Sequence, residues 1–160
     1  MGAVLKLRRS LPRLFLEGDY QPLRVEGEHS GRVVAFQRRL GDRAVVVIAP
    51  RHTVPLLPPG GESLLIPERQ WGETRVLIEG VARGWRSLFT GADVEGTRRA
   101  GEPVSTWPLS MLLGALPVCV LVHAPVFAAE SAEAAGAERG RAAGSAPAVD
   151  EGRKSPAVDR

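Results

Sequence analysis

Acid–base chemistry on a glycosidic bond needs two carboxylates held on either side of it. The acids singled out by position are Asp19, Asp42, Glu73 and Asp93, and each falls in a stretch that reads as a turn or loop. Short acids favour such places because they hydrogen-bond the turning backbone, so a solvated turn acid accounts for each better than a catalytic role does. His29, His52 and His123 lie far apart and lack the paired spacing of metal ligands, which makes them surface or core histidines. Cys119 stands four residues before His123, a pairing that could suggest a nucleophile and its base. Along a strand that separation is about 13 Å, too far for proton transfer, so Cys119 is expected to be a small buried residue. Trp71, Trp85 and Trp107 could stack on the apolar faces of glucose rings. Only one Tyr and four Phe accompany them, so the core needs these large side chains, and packing is the better account. Pro58-Pro59-Gly60-Gly61 has neither Lys nor a strand-to-helix frame and is no phosphate loop. The residues therefore supply no catalytic, cofactor or metal set, and leave glucan stacking on Trp71, Trp85 and Trp107 as the alternative to core packing.

The elements that carry these side chains read mainly as strands. Val4, Leu5, Leu7 and Leu11 recur near helical spacing among Lys6, Arg8 and Arg9, and Pro12 should end that helix near Ser10 or Leu11. Leu14 to Leu16 are then expected to lead into the first strand. Leu23 and Val25 alternate with Arg24 and Glu26, and Gly27 to Gly31 supplies a turn. Arg32 to Arg39 alternates, Gly41-Asp42 closes a hairpin, and Ala44 to Ala49 is an unbroken apolar run, the mark of a central strand covered on both sides. Pro55 to Gly61 reads as a surface loop. Arg75 to Val81 and Trp85 to Phe89 read as strands, Gly91 to Pro103 as a long polar loop, and Trp107 to Gly114 as a short helix with Pro108 at its first position. Pro117 to Val122 supplies a last buried strand. Short strands at near-regular spacing predict an all-β antiparallel sandwich.

A chain of 160 residues allows one such domain and little more. The expected division is a helix at 1–16, a sandwich at 17–123 and a disordered tail at 124–160. The tail is dominated by Ala, Gly, Glu, Arg and Ser, with too little apolar surface to offset the entropy of ordering. The net charge of +3 is spread along the chain without a Lys/Arg block of five, which argues against a nucleic-acid partner. A single cysteine excludes an internal disulfide and fits a reducing, cytoplasmic setting. Basic residues interrupt the N-terminal apolar stretch, unlike a secretory signal. Met111 to Phe127 is short for a membrane span and carries Pro117, His123 and Pro125, so a helical turn and buried strand are expected instead.

Several phrases occur together in a particular order: Arg8-Arg9-Ser10-Leu11-Pro12, Gly18 to Leu23 (GDYQPL), the VVAFQRR and GDRAVVVIAP hairpin, Trp71-Gly72-Glu73-Thr74, Trp85 to Gly91 (WRSLFTG), and Leu116-Pro117-Val118. This order resembles the junction between the last barrel helix and the C-terminal β-domain in the alpha-amylase superfamily, and among its members the malto-oligosyltrehalose synthases. The resemblance covers about residues 5 to 122 and implies an amylase-type C-terminal sandwich preceded by a remnant of the last barrel helix. It implies a whole protein that rearranges the reducing-end linkage of a maltodextrin into a trehalosyl end, a (1→4)-α-D-glucan 1-α-D-glucosylmutase of trehalose biosynthesis. The family's acids sit on barrel strands, in motifs that include an Asn-His pair, and this chain contains no Asn. The resemblance thus implies an inactive portion whose partner is a (β/α)8 barrel, in the same chain or in trans, with maltodextrin as the possible ligand. A stand-alone carbohydrate-binding module is the alternative. Because the family sets this sandwich against the barrel, the face carrying Leu5, Leu7, Leu11, Leu14 and Phe15 is expected to be exposed when the chain is alone. The other possibility is that this helix folds back over its own sheet.

Overall fold

The computed structural model describes residues 2–60, 63, 65–80, 83–98 and 100–123. The tail expected at 124–160 lies outside the described residues. In chain order the elements are α1 (Gly2–Ser10), α2 (Pro12–Leu16), β1 (Asp19–Pro22), β2 (Val25–Glu26), β3 (Val33–Leu40), β4 (Arg43–Pro50), β5 (Arg75–Glu79), β6 (Trp85–Ser87), β7 (Asp93–Val94), β8 (Thr97–Arg98), β9 (Val104–Pro108), α3 (Leu109–Leu113) and β10 (Cys119–His123). Short 3-10 turns at Ser30–Arg32, Val54–Leu56 and Glu68–Trp71 interrupt the loops. The strands form a six-stranded sheet in the order β1-β3-β4-β10-β6-β7 and a four-stranded sheet in the order β2-β5-β9-β8. Every pairing is antiparallel, so the expected all-β antiparallel sandwich is the fold.

The hairpin is where the sequence places it. Arg39 pairs with Ala44 and Leu40 with Arg43 around Gly41-Asp42. Gly41 has φ 62, a left-handed value that a hairpin's first loop position needs and that glycine adopts without a side-chain clash. Gly27 is a second required glycine: its φ is 108, and a Cβ there would come within 2.6 Å of the Thr74 Cα, where two loops cross.

Three elements differ from the sequence reading. Leu14 to Leu16 do not lead into a strand. Pro12 ends α1 and then opens α2 as its first residue, where its fixed φ suits a helix and its missing N–H is not needed. The polar stretch Gly91 to Pro103 is not wholly a loop, because β7 pairs with β6 and β8 with β9 inside it. Trp107 does not begin a helix. It belongs to β9, paired with Val76 of β5, and the helix starts only after Pro108.

Two apolar layers result. Between the sheets lie Val46, Ile48, Trp71, Val76, Ile78, Trp85, Trp107, Leu109, Leu113 and Leu121. On the opposite face of the six-stranded sheet, Val45, Val120 and Val122 are covered by Leu7, Leu11 and Leu14. This corrects the expectation of an exposed helix face: Leu7, Leu11 and Leu14 are 2%, 3% and 1% exposed, while Leu5 and Leu16 remain in solvent. The helices fold back over their own sheet because β4 and β10 are apolar on both faces, and leaving valines wet costs about 25 cal/mol per Å². Leu14→Ala should therefore destabilise the chain by about 2–5 kcal/mol in a urea titration, the usual cost of a cavity under a buried leucine. A change below about 0.5 kcal/mol, typical of a surface site, would show that the helices do not seal this face.

Candidate functional site

The four acids singled out from the sequence are not brought together. Asp19 lies on the edge strand β1, Asp42 in the hairpin turn, Glu73 in the loop before β5 and Asp93 on β7, all exposed. Asp93 accepts a hydrogen bond from Arg86 Nε at 2.9 Å, a surface pair rather than half of an acid–base dyad. Other acids are held the same way. Glu26 pairs with Arg75 at 3.0 Å and with Arg24 at 2.9 Å, and Glu95 lies 3.7 Å from Arg83. Glu17, one helical turn from Arg13, is held below the ordinary carboxylate range by hydrogen bonds from that guanidinium.

The histidines are equally separate. The backbone N–H of His29 donates to Thr74 Oγ1 at 3.3 Å. His52 follows β4 at φ 52, with its carbonyl accepting a hydrogen bond from Arg32. His123 closes β10, its Nδ1 3.2 Å from the Asp42 carbonyl oxygen. Among the described residues no three His, Cys, Asp or Glu side chains could share a metal ion. Cys119 and His123 sit at opposite ends of β10. Burial pushes the Cys119 thiol up from 9.0 to about 12, so it is neither a thiolate nor paired with a base.

The tryptophans go to the interlayer core. Trp71 ends a 3-10 turn and is 0% exposed, as is Trp107. Trp85 meets Trp107 edge to face, with ring centroids 6.4 Å apart and planes at 85°. A Cβ at Gly96 would fall inside the Trp107 indole, so glycine leaves the space that the ring fills. Stacking a sugar on Trp71, Trp85 or Trp107 would require opening this core. A large aromatic face in a chain poor in aromatics is the expected wedge between two sheets.

Among the concave features of the described residues, two bear on function. The larger is an open groove of about 600 Å³ beside α1 on the outer face of the six-stranded sheet. Val4, Phe15, Phe36, Val47, Phe89 and Val118 line it, with Tyr20, Arg8 and Arg38. Tyr20 packs on Phe36 at 5.1 Å, and the Arg38 guanidinium lies over the Tyr20 ring at 5.9 Å while donating to the Gly18 carbonyl at 3.0 Å. The smaller is a polar cup of about 130 Å³ formed by Gln37, Arg39, Asp42, Ala44, Glu79, Trp85 and His123. Sequence reasoning did not find it, because its members are spread over β3, β4, β5, β6 and β10. The one available signal was Gln37, an amide in line with the apolar Val33 and Ala35 on the same strand face.

No described helix is long and apolar enough to cross a membrane. The chain is related to proteins of Mycobacterium tuberculosis named "Putative maltooligosyl trehalose synthase": those of strains CDC 1551 and H37Rv are each 32% identical to it over 113 residues. That match takes in 71% of this chain and spans 13% of the length of those relatives. No family model matches the chain. No solved structure matches it.

The buried thiol gives a direct test of the interlayer core. Cys119 should resist an aromatic disulfide reagent at pH 8 and react promptly once urea unfolds the chain. Its raised pKa contributes stability that is complete below pH 9 and is lost as pH rises toward 12, because the unfolded thiol releases its proton first. The unfolding free energy should accordingly fall in that window by up to about 1.4 kcal/mol per pH unit relative to Cys119→Ala. Rapid labelling of the folded chain at pH 8 would place Cys119 outside the core.

Proposed function

We propose that this chain is the C-terminal β-domain of a malto-oligosyltrehalose synthase-like protein. In this reading it supports the intramolecular transglycosylation that converts maltodextrin to maltooligosyl trehalose and does not catalyse it alone. The observation that carries the reading is the combination of relatedness and acid placement. The match takes in most of this chain but a small part of its relatives, and the four candidate acids are scattered over turns and edges. Hydrolysis or transfer at an anomeric carbon needs two carboxyl groups about 5–9.5 Å apart across the substrate. Nothing in the placement of Asp19, Asp42, Glu73 or Asp93 supports such a pair.

The partner is then the catalytic barrel, in cis or in trans. The groove beside α1 is the face we assign to it, since it is apolar, continuous with the helix that would connect the two parts, and contains Arg8 and Arg38 but no acid. An acidic, apolar-centred surface on the barrel would complement it.

Two measurements test this. The purified chain should stay at background in a reducing-end assay on malto-oligosaccharides. Turnover that persists through purification and vanishes on mutating one of its acids would overturn the reading. With a synthase barrel lacking its own C-terminal domain, the chain should co-purify and restore turnover. Val4→Asp, a charge placed at the exposed rim of the groove, should weaken that association by at least about tenfold while the chain's own melting curve moves little, since Val4 is 37% exposed. Association unaffected by Val4→Asp would put the barrel on another face.

A further inference from the structure

The polar cup has a construction that its surroundings do not require. Arg39 pairs with Ala44 across β3 and β4, and His123 pairs with Trp85 across β10 and β6. Val122 pairs with Val45 on the outer face, so one step on His123 lies beside Ala44, and Arg39, Ala44, His123 and Trp85 form one row along the inner face at the end of the six-stranded sheet. Ala44 is the small member of that row and leaves the hollow. Gln37 lies one step deeper on β3, in line with Val33 and Ala35 of the core, and is 2% exposed. Its Oε1 is buried and receives no hydrogen bond from the protein. A buried carbonyl oxygen without a donor is costly, and its residue lines the cup.

The other groups define what would satisfy it. Glu79 forms no ion pair among the described residues and supplies acceptors on the side of the smaller sheet. Arg39 supplies donors, its Nε already turned to the Gly41 carbonyl at 3.3 Å. His123 Nδ1 lies 3.2 Å from the Asp42 carbonyl oxygen, and Nε2 is the second polar atom of that ring. The His123 ring, backed by the buried Trp85 at 5.2 Å, makes an apolar wall. Two carboxylates against one guanidinium disfavour an anion, and the described residues hold no three-ligand metal set. The remaining chemistry is a neutral ligand that both donates and accepts, with an apolar face. A volume of about 130 Å³ is that of about four waters, which admits the edge of one sugar ring and not a chain.

We infer that this cup is a binding site for the hydroxyl edge of a single pyranose, with Gln37 Oε1 and Glu79 accepting from its hydroxyls, Arg39 donating to them, and the His123 ring, backed by Trp85, against its apolar face. The assignment stands on these side chains and not on the proposed place of the chain in a synthase. It is tested on the isolated chain with glucose and maltose, without a barrel or turnover.

Glucose titrated into isotopically labelled protein should shift the Gln37 side-chain amide, the Trp85 indole N–H and the His123 ring resonances with one saturable curve. Gln37→Leu, which keeps the volume and removes the orphaned oxygen, should weaken binding by about tenfold, the worth of one neutral hydrogen bond. Glu79→Gln, at an exposed position that leaves the core intact, should also weaken it. Maltose should bind no more tightly than glucose, since the cup has room for one ring. Absence of a saturable shift in the natural chain would overturn the inference. So would equal affinity in both variants, or shifts centred on Trp71 instead of the cup.

Discussion

The rest of the structure depends on one constraint: the central strands of the six-stranded sheet are apolar on both faces. Val46 and Ile48 of β4 and Leu121 of β10 face the second sheet, while Val45 of β4 and Val120 and Val122 of β10 face away from it. A sheet with one wet face would leave those three valines in water. The chain covers one side with β2, β5, β9 and β8 and the other with α1 and α2. The N-terminal helices are therefore a structural layer of this domain, whatever else they adjoin. Pro12 serves the same end, because breaking the helix between Ser10 and Leu14 lets Leu7, Leu11 and Leu14 all turn inward as the path bends toward β1.

Coverage runs out in several places, and two of them bear on what the domain could hold. Beside α1 the helical layer is too narrow for the sheet, so Phe36, Val47 and Val118 line an open apolar groove. At the end of the interlayer space the tryptophans give way to Ala44 and Gln37, and a polar cup opens between the sheets. The two differ in what they could hold. The groove has an extended apolar wall, suited to another folded surface. The cup has converging donors and acceptors around a small hollow, suited to a small polar molecule. Neither brings together any two of Asp19, Asp42, Glu73 and Asp93.

This separation agrees with relatedness to a small part of much longer proteins. Acids in this domain serve the surface, neutralising arginines across neighbouring strands, as Glu26 does with Arg75 and Asp93 with Arg86. An arginine-rich chain needs such partners to keep its sheet faces soluble. The same residue types that would be read as catalytic elsewhere are here occupied with spacing charge around a β-sandwich.

Local patterns in the amino-acid sequence determined the antiparallel character, the Gly41-Asp42 hairpin, the buried strands β4 and β10, and the break at Pro12. Each depends on a period or a backbone preference that acts within a few residues. They also sufficed to mark Asp42 and Glu73 as turn and loop acids and Cys119 as a buried thiol, but Asp19 and Asp93, expected in turns or loops, lie on the edge strands β1 and β7. Strand β9 was not legible, because Trp107 next to Pro108 reads as a helix start until Val76 is found across from it. β7 and β8 were hidden for a similar reason: strands of two residues have no periodicity and exist only by virtue of a partner. The side of the sheet taken by the helices and the meeting of Gln37, Glu79, Trp85 and His123 were decided by tertiary structure alone. Amphipathic spacing states that a face must be buried but not against what, and side chains separated by tens of residues become neighbours only when the pairing of strands sets the register that aligns them.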